Sequence, residues 1–248
     1  MKIAVTSDWH GSLPPRQDRE RIAQCDLLLL AGDIFSHRTQ YQMGVVDPIA
    51  KYLIELRDKG IPVALTPGNH DFGLYYGYLE KHPDIADWVG SRTVPRLSVN
   101  NIEVLDADFI EEFLGAKVLV DETFEFNGLK IYGTPWTPEF YRWAFMLEED
   151  DLPEMYQKMP ADADIVISHG PPRFNQIDCV LQGEPPYRKC GSVSLTNEIL
   201  RKVPKHLFCG HIHSGFHGVT EIGNTKCVNV SLLDEGYHVA YPPFYLNL

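Results

Sequence analysis

Leu27-Leu28-Leu29-Leu30-Ala31-Gly32-Asp33 is a short apolar run that stops at a glycine and a carboxylate. A run of four to eight apolar residues bounded by turn formers reads as a buried strand. Beyond it, Asp47 suits a helix N-cap, Pro48 the first turn and Gly60 the end, with Ile49, Leu53 and Leu56 on one face. Residues 61–65 form the next apolar run, closed by Thr66-Pro67-Gly68-Asn69-His70-Asp71. Strand, helix, strand predicts a parallel sheet covered by helices.

The same punctuation recurs along the chain. Apolar runs at 2–6, 27–30, 63–65, 165–167 and 206–209 are each followed at once by side chains that bind metals. These are Asp8 and His10, then Asp33, then Asn69 with His70, then His169, and finally His211 with His213. Strand ends of such a sheet open into one crevice, so residues distant in sequence meet there. Asp-x-His and Gly-Asp are weak signals alone. Gly68-Asn69-His70 is stronger, because glycine permits a tight turn and an amide oxygen ligates a cation without adding charge. Gly210-His211-Ile212-His213, with two imidazoles one residue apart after a strand, is stronger again. Taken singly, each residue is explained by capping and turn chemistry at a strand end. All of them in this order are not.

Between these pieces, residues 123–126 and 129–132 flank Asn127-Gly128, the favoured two-residue type I′ turn. Pairing across it puts Phe126 opposite Leu129 and Phe124 opposite Ile131. The last third reads as a strand before His169, a helix near 195–202, and short strands around 206–209, 216–220, 226–230 and 243–247. The expected architecture is a four-layer α-β-β-α sandwich of two mixed β-sheets flanked by helices, as one domain over residues 1–248. Residues 170–191 hold Pro171, Pro172, Pro185 and Pro186 and little periodicity. A long irregular segment directly after a candidate ligand is expected to form one wall of a substrate pocket.

The 248 residues suffice for a large core, and 44% apolar with 23% charged content is that of a globular protein. No apolar stretch approaches the roughly 20 residues of a membrane span, so no membrane partner is expected. The N-terminus enters a strand with no basic flank or cleavage site, and the five cysteines are odd in number with no CxxC pair. A reducing compartment, the cytoplasm, is the expectation. A net charge of −12 without a basic stripe argues against a duplex nucleic-acid binder and leaves small phosphoester substrates open. Nothing in the chain fixes its oligomeric state.

Imidazole with carboxylate suits transition metals better than calcium. Seven ligand groups exceed one tetrahedral site and fit two divalent cations sharing a carboxylate. Manganese is the first expectation, with iron or zinc as alternatives. Paired divalent ions lower the pKa of bound water and stabilise in-line displacement at phosphorus.

The order Asp-x-His, Gly-Asp, Gly-Asn-His, His, Gly-His-x-His resembles the calcineurin-like metallophosphoesterase superfamily. Tyr132-Gly133-Thr134-Pro135-Trp136, His169-Gly170-Pro171-Pro172 and Val228-Asn229-Val230-Ser231-Leu232 narrow the likeness. They point to the small branch that holds the metallophosphoesterase-domain proteins and is similar to class III cyclic nucleotide phosphodiesterases. The resemblance implies that Asp8, His10, Asp33 and His213 hold a first metal. It implies that Asp33, Asn69, His169 and His211 hold a second, with Asp33 bridging. A metal-bridging hydroxide would attack phosphorus in line, and His70 would contact the phosphate and protonate the leaving oxygen. Phosphodiesters, cyclic nucleotides among them, are the implied substrates. A phosphomonoesterase of the same fold is the alternative, and a catalytically silent metal-binding scaffold is the alternative from another class.

One departure stands out. Many superfamily members carry an acid three positions after the bridging aspartate, where this chain has Ser36, and Asp71 is the residue placed to compensate. His37, His82, His206, His217 and His238 read as ordinary polar residues. Trp136, Trp143, Phe140 and Phe145 read as core, and Arg173, Arg188 and Lys189 as solvated cations.

Overall fold

The computed structural model describes residues 1–35, 48–89, 106–181 and 185–248. Their first half contains β1 (Lys2–Thr6), α1 (Arg16–Ile22), β2 (Leu27–Ala31), α2 (Pro48–Asp58), β3 (Val63–Thr66), α3 (Phe72–Lys81) and α4 (Pro83–Val89). The short α5 (Ala107–Phe109), a π-helical turn (Ile110–Leu114), β4 (Ala116–Val118), β5 (Glu122–Phe126) and β6 (Leu129–Thr134) follow. Then come β7 (Thr137–Pro138), β8 (Met146–Leu147), α6 (Leu152–Tyr156), β9 (Ile165–Ser168), β10 (Cys179–Val180) and β11 (Arg188–Lys189). The last elements are α7 (Val193–Lys202), β12 (His206–Cys209), β13 (Thr220–Ile222), β14 (Thr225–Asn229) and β15 (Phe244–Asn247).

Two sheets result, ordered β15-β1-β2-β3-β4 and β13-β14-β12-β9-β6-β5. Strands β1 to β4 run parallel, with β15 antiparallel at the edge. In the second sheet β14, β12, β9 and β6 are parallel, with β13 and β5 antiparallel at the two edges. Both sheets are mixed, as expected.

The apolar runs are continuous because both faces of each central strand are buried. Leu28 and Leu30 face outward against Ile49, Leu53 and Leu56 of α2. Leu27, Leu29 and Ala31 face inward against Ile165, Ile167 and Phe208 of the second sheet. On that sheet's far side Val166, Leu207 and Cys209 meet Leu152, Met155, Leu195 and Ile199 of α6 and α7. Three apolar layers thus separate four layers of structure.

Most elements fall where the sequence puts them. The Asn127-Gly128 turn has φ of 49° and 80°, and Phe126 pairs with Leu129 and Phe124 with Ile131. The strand expected at 216–220 is displaced to Thr220–Ile222. Phe216 instead donates its backbone N–H to Gln176, and the tight turn at Gly223 sets Ile222 opposite Thr225. Asp47, read as the α2 cap, and Ser36 lie outside the described residues. All five cysteines are unpaired. No helix among the described residues is long and apolar enough to cross a membrane.

Candidate metal centre

Five of the parallel strands carry candidate ligands just past their ends. Asp8 follows β1, Asp33 follows β2, Asn69 and His70 follow β3, His169 follows β9, and His211 and His213 follow β12. The two sheets are joined there: Ser7 donates its N–H to Val230 and accepts one from Leu232, making a bridge between Ser7 and Ser231. The backbone at the site is held out of its ordinary range. Asp8, His10, Asp33 and His211 have φ of 53°, 44°, 54° and 69°, left-handed values that a non-glycine residue keeps only where the surroundings enforce them. Those φ values turn side chains at strand ends away from the sheet faces and into the crevice.

Asp8 is fully buried, and its Oδ2 accepts from Ser7 Oγ at 2.5 Å, Ser231 Oγ at 2.7 Å and the His211 backbone N–H at 3.1 Å. Its Oδ1 is turned toward His213 Nε2 at 3.4 Å. Asp33 is arranged in the same way. Its Oδ1 accepts the His70 N–H at 2.7 Å, and its Oδ2 lies between two imidazoles, 3.6 Å from His10 Nε2 and 3.4 Å from His169 Nε2. His10 Nε2 also lies 3.3 Å from His213 Nε2, and His169 Nε2 lies 2.8 Å from Asn69 Oδ1. Three triads have their ligand atoms within 4.8 Å of one another: Asp8-His10-His213, His10-Asp33-His70 and Asp8-Asp33-His169. His211 is outside these triads; its ring lies 5.0 Å from that of His169 and lines the same pocket.

The chemistry of these donors fits cations. His169 Nδ1 faces the Ala31 carbonyl at 3.0 Å and His213 Nδ1 faces the Asp234 carbonyl at 2.9 Å. A carbonyl only accepts, so each Nδ1 carries the proton and each Nε2 directs a lone pair at other lone pairs. Such a cluster is stable only with positive charge inside it, and this second hydrogen bond is the usual support of a metal-ligating histidine. Asn69 Nδ2 is buried without a hydrogen-bond partner, so its amide is oriented by something other than a partner for its N–H. The floor is also cut to fit: a Cβ on Gly68 would strike Asp33 Oδ1, and one on Gly210 would strike Asp8 Oδ2.

Without cations, protons take their place. Burial disfavours a charged His169, but the Asp33 carboxylate overrides it and raises the pKa to about 9. Burial likewise opposes charge on His213, and Asp8 raises it to about 9. Burial would raise Asp8 and Asp33, but His213 holds the first and His169 the second below the usual carboxylate range. Burial, with His169, lowers His211 to about 3. Metal loading at pH 7.5 is therefore expected to displace about two protons per chain from His169 and His213, in addition to any given up by a metal-bound water. Calorimetric titration with manganese in buffers of different ionisation enthalpy measures that number; zero release contradicts the assignment of His169 and His213.

Around this floor lies a cavity of about 850 Å³. The segment after His169 forms one wall, as expected, contributing Arg173, Val180, Arg188, Lys189, Cys190 and Gly191. It is not structureless, since β10 and β11 pair within it. Arg188 and Lys189, read as solvated cations, are exposed yet face the cavity. The aromatic residues divide: Trp136 and Phe145 are fully buried, as expected, whereas Phe140 and Trp143 line the cavity. Trp143 lies 4.5 Å from the His70 ring, and Phe140 lies 5.6 Å from that of His211.

The residue expected to compensate for Ser36 does something else. Asp71 accepts from the backbone N–H groups of Asp33 at 2.9 Å, Phe35 at 3.2 Å and Gly68 at 2.7 Å, which fixes the two ligand loops against each other. Its neighbours in the Gly-Asn-His-Asp run gave the only sequence signal. Sequence reasoning missed Ser7 and Asp234 altogether, and quoted Ser231 only as part of a motif. His217 is not among the triads; it stacks on Tyr241 at 3.5 Å and faces the His213 carbonyl at 2.9 Å.

A family model described as calcineurin-like phosphoesterase matches residues 1–215. The chain belongs to that family of metallophosphoesterases. Over its whole length it is 38% identical to human metallophosphoesterase domain-containing protein 1, of which it covers 71%. It is 33% identical over 132 residues to the UPF0046 protein T07D4.2 of Caenorhabditis elegans, covering 52% of this chain and 32% of that one. Among solved structures, phosphopantetheinyl hydrolase from Mycobacterium tuberculosis has a TM-score of 0.50 at 14% identity, with 93% of this chain and 88% of that one covered. That is a likeness of fold.

Proposed function

We propose that this chain is a phosphodiesterase that works with two divalent transition-metal ions, manganese first, on small organic phosphodiesters such as cyclic nucleotides. The observation that carries the reading is the position of Asp33 Oδ2 between His10 Nε2 and His169 Nε2, one from each expected ligand set. Asp8, His10 and His213 would hold one ion, Asn69, His169 and His211 the other, with Asp33 shared. Bound there, such ions supply Lewis acidity and a water-derived nucleophile at neutral pH.

The chain's own residues supply the rest. Burial, joined by His10 and His169, lowers the pKa of His70 to about 4 against the pull of Asp33. His70 is therefore neutral at pH 7 and serves the ester oxygens first as a hydrogen-bond donor. Phosphate charge beside it raises that pKa and favours the imidazolium that hands a proton to the departing alcohol. Phe140 and Trp143 give the alcohol an apolar face, and a cavity of about 850 Å³ has room for organic groups on both sides of phosphorus. Arg188 and Lys189, which line the same cavity, favour an anionic substrate. Because both are exposed, Arg188→Ala is expected to raise KM only about threefold to tenfold with kcat unchanged. Equal KM values would remove Arg188 from the substrate site. Free thiols favour a reducing compartment, the cytoplasm.

The test is hydrolysis of a chromogenic diester against the matching monoester by manganese-loaded protein. Diester turnover well above that of the monoester supports the reading, and the reverse preference makes it a monoesterase. Background rates on both esters leave a metal-binding scaffold.

A further inference from the structure

The turn after β14 puts a tyrosine at the mouth of the metal centre, and nothing in the family motifs accounts for it. Tyr237 lines the cavity, with its ring edge-on to His10 at 4.9 Å and to His213 at 5.4 Å between centroids. It is the aromatic residue that covers the Asp8-His10-His213 side of the floor, while Trp143 and Phe140 cover the His70 and His211 side. The residue nevertheless remains 54% exposed, so core burial does not explain its place.

The backbone there is strained in a particular way. Tyr237 has a φ of 60°, although Gly236 immediately precedes it and could have taken a left-handed conformation without penalty. A bulky residue in that region costs roughly 1–2 kcal/mol. The turn enforces it. Asp234 Oδ1 accepts the N–H groups of Gly236 at 2.8 Å and His238 at 2.9 Å, and the Asp234 carbonyl accepts that of Tyr237 at 2.9 Å. The same carbonyl receives His213 Nδ1, so one atom positions both the tyrosine and a candidate ligand. Glu235 ties the turn to the segment after β10 through Ser214, whose hydroxyl donates to Glu235 and accepts the N–H of Leu181. Strain retained at a half-exposed side chain over a ligand cluster is the pattern of a functional contact.

We propose that Tyr237 is a substrate-contacting residue: its ring walls the Asp8-His10-His213 side of the pocket and its phenol hydrogen-bonds a phosphoryl oxygen of the bound ester. This rests on the phosphoesterase reading above, and its test separates the two. Orthophosphate binding to manganese-loaded protein is measured by calorimetry, beside diester hydrolysis and manganese content, for wild type, Tyr237→Phe and Tyr237→Gly. Tyr237→Phe is expected to weaken phosphate binding about tenfold, the effect of losing a hydrogen bond to a charged group, with manganese content unchanged. Tyr237→Gly relieves the φ strain, so it is expected to keep the wild-type thermal midpoint within a few degrees while losing at least as much affinity. A purely structural tyrosine gives the opposite: Tyr237→Gly melts early, and Tyr237→Phe binds phosphate as wild type does. Unchanged phosphate affinity in Tyr237→Phe overturns the inference, as does a wild type that binds no phosphate. Phosphate binding that responds to Tyr237 without ester hydrolysis by wild type overturns the phosphoesterase reading alone.

Discussion

Asp33→Asn is expected to lower diester hydrolysis by about a thousandfold or more and to strip at least one cation, with the fold intact. The amide oxygen can still accept the His70 N–H that Asp33 Oδ1 accepts now, so the loop keeps its support. The other atom decides the outcome. Oδ2, which lies between His10 Nε2 and His169 Nε2, becomes an NH2 group with no lone pair to offer a cation. The site also loses one of the two buried negative charges, Asp8 and Asp33, that balance the cations. Wild type is expected to melt higher on adding manganese, because ligand binding to the folded state stabilises it, and the variant is expected to show little of that gain. A variant that retained wild-type hydrolysis would remove Asp33 from the mechanism.

Gly68→Ala is expected to be nearly as damaging by a different route. An added Cβ would meet Asp33 Oδ1 and the Asp33 backbone nitrogen, with Asp33 Cγ at 2.7 Å. The backbone atom cannot swing aside, so the Asp33 loop must move. Overpacking of this kind costs about 1–3 kcal/mol. The shift also displaces the shared carboxylate and breaks the Gly68 N–H bond to Asp71 that joins the two ligand loops. Loss of hydrolysis together with a lower melting midpoint is the expected result. Gly128→Ala makes the contrast. That glycine has a φ of 80° but nothing within 4 Å of a new Cβ, so the variant is expected to lose stability and keep its hydrolysis. Equal hydrolysis by both variants would mean that the close approach at Gly68 has no part in shaping the site.

The comparison of these two glycines shows what a sequence makes legible. Apolar runs ending in Asp, Asn and His gave the central strands and the ligands, because burial on both faces leaves a continuous apolar signature. Asn127-Gly128 gave its hairpin and register, because a type I′ turn needs those residues. Other features left no such mark. The carbonyls of Ala31 and Asp234 that orient His169 and His213 are backbone atoms, identical at every position. Asp71 reads from sequence as an aid to His70, because two of its real partners are N–H groups from a loop 36 to 38 residues away in sequence. Phe140 and Trp143 have the composition of core residues, and only their place beside the histidine rings makes them pocket wall. The strand at 216–220 was misplaced because the turn at Gly223, not local propensity, sets its pairing.

The central claim is that one aspartate serves two cations, and metal stoichiometry tests it most directly. Protein stripped with chelator, reloaded with excess manganese and freed of unbound ion is analysed for manganese per chain, wild type beside Asp33→Asn. Two ions in wild type and one or none in the variant is the expected result; a single ion in wild type, or two retained in the variant, contradicts it.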